Sequence, residues 1–197
     1  MDDYLKQDFF ENASTDSMTW LENAEFLKIS ADSIFDKIIT TYNDYKREQK
    51  IESNFDVNST INRKRDKINN LEDRLKSFSN TYYLLIGYSF ENLIKGLSIK
   101  NNPQMSFNDI YSNKWSKYKS GHGISGICRE NIINLTSSEI DLLQRLETYI
   151  IWIGKYPVAK KLENHINEYD NKYFDSDDKE LIDNLFDRVK NRIIDKR

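Results

Sequence analysis

Residues 82–99, YYLLIGYSFENLIKGLSI, decide the fold, because a helix formed by them is apolar on most sides. The large side chains recur every three or four residues, the period of an α-helix: Tyr82, Leu85, Ile86, Phe90, Leu93, Ile94 and Leu97. Other elements must cover a helix of this kind. We therefore expect it to be the central helix of a bundle, stopped by Asn101-Asn102-Pro103.

Amphipathic patterns elsewhere predict further helices and no strands. The first helix, capped by Thr15 or Asp16, ends near residue 45, and the central helix begins between residues 61 and 71 after a polar connection at 47–60. Later helices are expected at 107–111, 124–133, after a Thr136 cap, at 158–169, and after a cap at Asp175-Ser176. Six glycines and two prolines in 197 residues leave few turns for a strand-rich fold. We predict one all-α domain over residues 1–197, a bundle of four or more helices, with residues 1–14 as an N-terminal arm.

The net charge of −3 hides an uneven distribution, with nine acids against two lysines in residues 1–36. A basic surface over the whole chain, as in many nucleic-acid binders, is therefore excluded, although local basic patches remain. The single cysteine, Cys128, cannot form a disulfide within the chain. The acidic start lacks the features of a signal peptide, and the apolar runs are too short to span a bilayer. We expect a cytoplasmic protein with no membrane contact.

Two groups of residues carry candidate chemistry. On the central helix, Glu91 and Lys95 lie four residues apart on one face, beside Asn92, and form either a site or an ordinary ion pair. In the long connection, His122 stands between two glycines, where an imidazole can perform acid–base chemistry or cap a helix. The run before it places Trp115 among lysines that include Lys117, a pattern that suits phosphate and unpaired bases, unless the tryptophan folds back onto the core.

Other site classes find little support. Gly121, Gly123 and Gly126 spell GxGxxG, but no strand precedes them, which argues against a dinucleotide site. Two histidines and one cysteine, widely separated, offer no metal-ligand spacing. We predict neither a metal nor a cofactor. Lys155 and Tyr156, in WIGKYP after a long helix, are explained by an ordinary helix stop, and they join a site only if they meet His122 in space.

These fragments together resemble the HEPN superfamily of helical bundles. The resemblance covers roughly residues 17–160 and rests on the order of its pieces: Trp20-Leu21 with Ala24, residues 87–97 (GYSFENLIKGL), Gly121-His122, and residues 143–157 (LQRLETYIIWIGKYP). It implies a bundle that is often dimeric, and many relatives are metal-independent ribonucleases, toxins of toxin–antitoxin pairs or antiviral defence components. Their usual signature, an arginine four to six residues before a histidine, is not present, and Lys160 with His165 comes nearest.

Two functions follow as expectations. The first is a HEPN-like protein that binds or cleaves RNA or a nucleotide in stress or antiviral defence. His122 is then the acid–base group, Lys95 and Lys155 contact phosphate, Glu91 orients them, and Asn92, Tyr156, Lys117 and Trp115 help to bind. The second is a non-catalytic helical module that docks a basic protein partner through its acidic first helix and N-terminal arm. Convergence of Glu91, Lys95, His122 and Lys155 in one cleft would favour the first.

Overall fold

The computed structural model describes residues 3–52, 58–112, 114–131, 133–153 and 177–195. Seven α-helices lie within these ranges, and none of the described residues forms a strand. They are α1 (Asp3–Thr15), α2 (Ser17–Glu52), α3 (Asn58–Asn101), α4 (Phe107–Tyr111), α5 (Ile124–Glu130), α6 (Ser137–Thr148) and α7 (Asp177–Ile194). A tight turn at Lys119–Gly121 precedes α5, and a π-helical turn at Tyr149–Ile153 continues α6. The predicted all-α bundle is confirmed.

An antiparallel hairpin of α2 and α3 forms the frame of the molecule. Near the core, the Ser89 hydroxyl donates a hydrogen bond of 2.7 Å to the Ala24 carbonyl. Further out, the Lys67 ammonium lies 2.8 Å from the Glu48 carboxylate. With 44 residues, α3 is about 66 Å long. The expected polar connection at 47–60 is wrong, because α2 continues to Glu52 and α3 begins at Asn58; the Lys, Arg, Glu and Gln residues there favour helix without an apolar stripe.

The second half of α3 is the centre of the core, and α2, α5, α6 and α7 pack around it. Two glycines let neighbours approach closely. A Cβ at Gly87 would lie 2.7 Å from Ile150 Cγ1 and 3.2 Å from the Leu146 carbonyl oxygen, and a Cβ at Gly96 would lie 3.0 Å from Trp20 Cβ. The predicted central helix is confirmed for residues 82–99.

Ion pairs hold α7 against α2. The Lys28 ammonium lies 2.6 Å from Asp183 and 3.0 Å from Asp32, while Lys179 of α7 pairs with the same two carboxylates. These four residues are called the α2–α7 clamp below. Two cations alternate with two anions, so each charge taken from water gains partners of opposite sign.

The N-terminal residues form a helix where the sequence predicted an arm without a regular pattern. In α1, the exposed Phe10 ring meets Phe107 of α4 edge to face, with ring centroids 5.5 Å apart. Asp16 caps α2 as predicted, since its carboxylate accepts from the backbone N–H groups of Met18 and Thr19. The α1 helix was missed because residues 1–14 carry no sustained apolar repeat in the sequence.

Among the smaller elements, the predictions for α4 and for the start of α6 are confirmed, and two later predictions cannot be compared with the structure. The α4 helix covers residues 107–111 as predicted, and Thr136 caps α6 in a capping box with Glu139. The predicted helix at 158–169 and the Asp175-Ser176 cap lie outside the described residues. Within the described ranges, no helix combines the length and the apolar composition that crossing a membrane requires.

Gly87→Ala is expected to destabilise the protein by about 1–3 kcal/mol, the usual cost of overpacking. In an exposed helix the same change would stabilise by about 1 kcal/mol. The new methyl group would collide with Ile150, which lies in the core. Urea unfolding of the variant measures the difference, beside Asn70→Ala on the exposed part of α3 as a control. A variant more stable than the parent would show that α6 is free to move away.

The α2–α7 clamp predicts a stability that depends on pH. Burial acts to raise the pKa of the Asp183 carboxyl, but hydrogen bonds from Lys179 and Lys28 outweigh it and hold the pKa below its usual 3.8. A depressed carboxyl pKa gives stability above the unfolded value that disappears as pH falls through the folded value. Asp183→Asn should therefore lower the unfolding free energy at about pH 7, and the difference from wild type should shrink towards about pH 2.5. A difference that stays constant in that range would contradict the ion-pair account.

Candidate functional site

Three predicted site residues meet on one side of α3. Glu91 and Lys95 are one helical turn apart, and the Lys95 ammonium lies 2.6 Å from Glu91 Oε1. The other oxygen, Oε2, lies 2.8 Å from Nδ1 of His122, which stands between the tight turn and α5. Both side chains on α3 are nearly buried, whereas a third of the His122 side chain is exposed. One carboxylate therefore connects an inner cation to an outer imidazole.

The Glu91 carboxylate determines which ring nitrogen of a neutral His122 carries the proton. An ionised carboxylate accepts hydrogen bonds only, so Nδ1 of a neutral His122 must carry the proton. The Nε2 lone pair then remains for other partners, and no described residue contacts it. A histidine held at Nδ1 by a carboxylate is oriented to take a proton at Nε2 and return it.

Lys95 is enclosed beside Glu91. Its ammonium lies 5.3 Å from the centre of the Trp115 ring, and only 9% of the residue is exposed. The geometry therefore favours an orienting role for Lys95 over the phosphate contact expected of it. A lysine enclosed by a carboxylate and an aromatic face holds the Glu91 side chain in place, which is an indirect contribution to the site.

Trp115 also takes a different place from the binding role expected for it. The residue is 2% exposed, its indole N–H donates to Ser98 Oγ over 3.3 Å, and its ring meets Trp20 edge to face. A buried ring cannot stack on a base, so this expectation is corrected in favour of the alternative in which the tryptophan folds back onto the core. Its function in the structure is to form the wall beside Lys95.

Lys117 is exposed and belongs to the surface of the site. Its ammonium pairs with Glu130 at 3.0 Å and lies over the Tyr118 ring, 4.9 Å from the centroid. The hydrogen bond to Glu130 raises the pKa of Lys117 above its usual value. Asn92 donates to the Tyr88 carbonyl one turn earlier in α3 over 2.8 Å, which is a local helical contact. Lys155, Tyr156, Lys160 and His165 lie outside the described residues.

The glycines of the GxGxxG pattern serve the packing of Tyr118. A Cβ at Gly123 would lie 2.9 Å from Tyr118 Cβ, and a Cβ at Gly126 would lie 2.5 Å from Tyr118 Cδ1. Gly121 has a positive φ of 91°, which glycine adopts without strain. Each glycine thus has a steric reason, in agreement with the argument against a dinucleotide site.

The turn before His122 is strained. Lys119 and Ser120 have φ values of 47° and 56°, in the left-handed region that residues with a Cβ seldom adopt. Such conformations persist only where surrounding contacts hold them, and they concentrate at functional sites. The backbone N–H of His122 donates to the Lys119 carbonyl over 3.2 Å. The position of the histidine therefore depends on this turn.

Glu147, near the end of α6, is a part of the site that the sequence argument missed. It is 0% exposed, and its Oε1 accepts from the backbone N–H and the hydroxyl of Ser125, both over 2.8 Å. Its Oε2 accepts from the Lys119 ammonium. A signal was present in the sequence, because Glu147 lies four residues after Leu143 and three before Ile150, on the apolar face of α6. A carboxylate on that face needs partners, and the turn supplies them.

Among the described residues, no three histidine, cysteine, aspartate or glutamate side chains are placed to hold a metal ion. Comparisons of the chain with models of protein families, with curated proteins and with solved structures gave no match. The geometry around Glu91 and His122 is therefore the main indication of function.

Proposed function

We propose that this chain is a HEPN-like protein that binds and cleaves RNA without a metal ion, in stress or antiviral defence. The observation that carries the proposal is the contact of 2.8 Å between Glu91 Oε2 and His122 Nδ1. It gives a partly exposed histidine the fixed orientation that acid–base work requires. The order of motifs shared with HEPN proteins supports the choice of RNA as substrate, and the dimer common in that superfamily belongs to the proposal.

The proposed reaction uses the 2′-hydroxyl of RNA as the nucleophile. His122 Nε2 takes the hydroxyl proton, the oxygen attacks phosphorus, and the bond from phosphorus to the 5′-oxygen breaks. The products are a 2′,3′-cyclic phosphate and a 5′-hydroxyl end that has gained a proton. Glu91 stabilises the imidazolium formed in between, as a buried carboxylate does when it holds the other ring nitrogen.

His122→Ala is expected to lower RNA cleavage in EDTA by at least about 100-fold, the usual contribution of a general base. The measurement is the rate at which a labelled RNA yields ends with a 2′,3′-cyclic phosphate. Glu91→Gln should reduce the rate less, because Gln can still accept a hydrogen bond from Nδ1 but does not stabilise the imidazolium.

His165→Ala is the matched control, because the chain has two histidines and His122 is the one that contacts Glu91. Loss of cleavage in the His165 variant alone would move the site to residues 160–165. A folded wild-type protein that cleaves no RNA in EDTA would overturn the proposed metal-independent nuclease.

A second candidate function, a docking module, is favoured by the exposed face of α2. Phe26 and Ile29 are 67% and 63% exposed, and they share this face with Met18 and the acidic Glu22. Large apolar side chains among acids suit a basic amphipathic partner, whose apolar residues cover the rings while its cations meet the carboxylates. This surface would act in place of the His122 site if the chain is not catalytic.

Phe26→Ser combined with Ile29→Ser is expected to abolish capture of such a partner while leaving the fold intact, because neither side chain is in the core. Crosslinking with mass spectrometry would name the captured protein and its contact residues. Tyr111→Ser is the matched control, since Tyr111 is 79% exposed on α4. Capture that survives the double substitution, or a contact segment without basic residues, would contradict the docking function.

A further inference from the structure

One buried carboxylate holds the chain on both sides of His122. Glu147 binds Lys119, three residues before the histidine, through Oε2, and binds Ser125, three residues after it, through Oε1. Glu91 orients the ring itself. Glu147 is fully buried and makes several contacts. It therefore fixes the backbone on both sides of His122 and, with it, the position of the imidazole.

Lys119 is the cation of this cluster that a ligand can reach. Its side chain is 55% exposed, against 11% for Lys95, whose ammonium is enclosed by Glu91 and Trp115. A lysine ammonium has three N–H donors. The described contact to Glu147 uses one of them, so Lys119 can keep its carboxylate and still donate to an incoming anion.

A functional role of Lys119 would explain why the backbone before His122 is strained. A left-handed residue with a Cβ costs free energy, and here two of them, Lys119 and Ser120, occur in succession directly before the histidine. The turn brings the Lys119 carbonyl within 3.2 Å of the His122 backbone nitrogen, which keeps the two residues adjacent on the surface. A relaxed loop would not fix the backbones of these two residues at this spacing.

We infer that Lys119 binds a phosphate group beside His122, and that Glu147 is the positioning residue that sets both side chains. The inference rests on the proposed function for the source of the phosphate, an RNA backbone or a nucleotide, but phosphate binding can be tested by itself. Lys119 belongs to the lysine run before His122 whose pattern suits phosphate, whereas the sequence placed the individual phosphate contacts at Lys95 and Lys155.

The test titrates inorganic phosphate into the full chain and follows the His122 ring in ¹H–¹⁵N NMR spectra, with His122→Ala to assign its signals. The wild-type ring signals should shift as phosphate binds. Lys119→Met should weaken binding by about tenfold, the effect of one lost charge-assisted contact, and Lys119→Arg should retain it. Lys67→Met is the matched control, because Lys67 has a similar side-chain exposure of 58%, is also paired with a carboxylate, Glu48, and lies on the outer part of α3 away from His122.

Glu147→Gln tests the positioning role. It should weaken phosphate binding and also change the ratio of the two neutral His122 tautomers, a signal that a merely structural carboxylate would not alter. If Lys119→Met does not fold because Glu147 is left buried without a cation, the double variant Lys119→Met with Glu147→Gln removes the charge. That double variant should fold and bind phosphate as weakly as expected for Lys119→Met.

The outcomes separate this inference from the proposed nuclease. Phosphate binding that depends on Lys119 in a protein that cleaves no RNA would support the phosphate site and overturn the nuclease. RNA cleavage unaffected by Lys119→Met, with no phosphate response at His122, would overturn the phosphate site alone. Titration with a nucleoside monophosphate and with a 2′-deoxy oligonucleotide then identifies the source, and a Lys119-dependent shift with either supports the site.

Discussion

The second half of α3 has to be covered on every side, and much of the structure follows from this constraint. Its apolar residues bring α2, α5, α6 and α7 around it. Yet the same segment contains Ser89, Glu91, Lys95 and Ser98 among buried neighbours. A polar group removed from water costs several kcal/mol unless it finds a partner. Each of these groups must therefore find a partner in a segment that covers α3.

Three segments that cover α3 supply partners for these polar groups. The α2 backbone accepts the Ser89 hydroxyl, Trp115 donates to Ser98 and faces Lys95, and His122 meets Glu91. Only the last contact ends at the surface. At the candidate site, the partner of a nearly buried polar group is thus a residue that is partly exposed to solvent. This is why the ion pair of Glu91 and Lys95 inside the bundle orients the histidine at its surface.

The sequence predicted the central helix, α4 and the Asp16 and Thr136 caps, because these depend on local patterns: periodicity, capping side chains and helix-stopping prolines. It missed α1 and the meeting ends of α2 and α3, where helices form from charged residues with good propensity and no buried stripe. In the site, Glu91, Lys95 and His122 were found because their residue types are unusual for their positions. The sequence left the place of Trp115 open between a binding surface and the core, because it depends on which way the 114–119 segment turns.

Glu147 shows why the rest of the site escaped the sequence. Taken alone, a glutamate on the apolar face of α6 signals a buried charge but not its partner. The partners, Lys119 in the tight turn and Ser125 at the start of α5, lie more than twenty residues earlier in the chain. Their geometry depends on left-handed residues that the sequence gives no reason to expect at Lys119 and Ser120. A buried carboxylate that finds its partners in a strained turn gains stability from contacts that an ordinary loop would not offer. The contacts of the turn with Glu147 in their turn hold a conformation that would otherwise relax, so each of the two features stabilises the other.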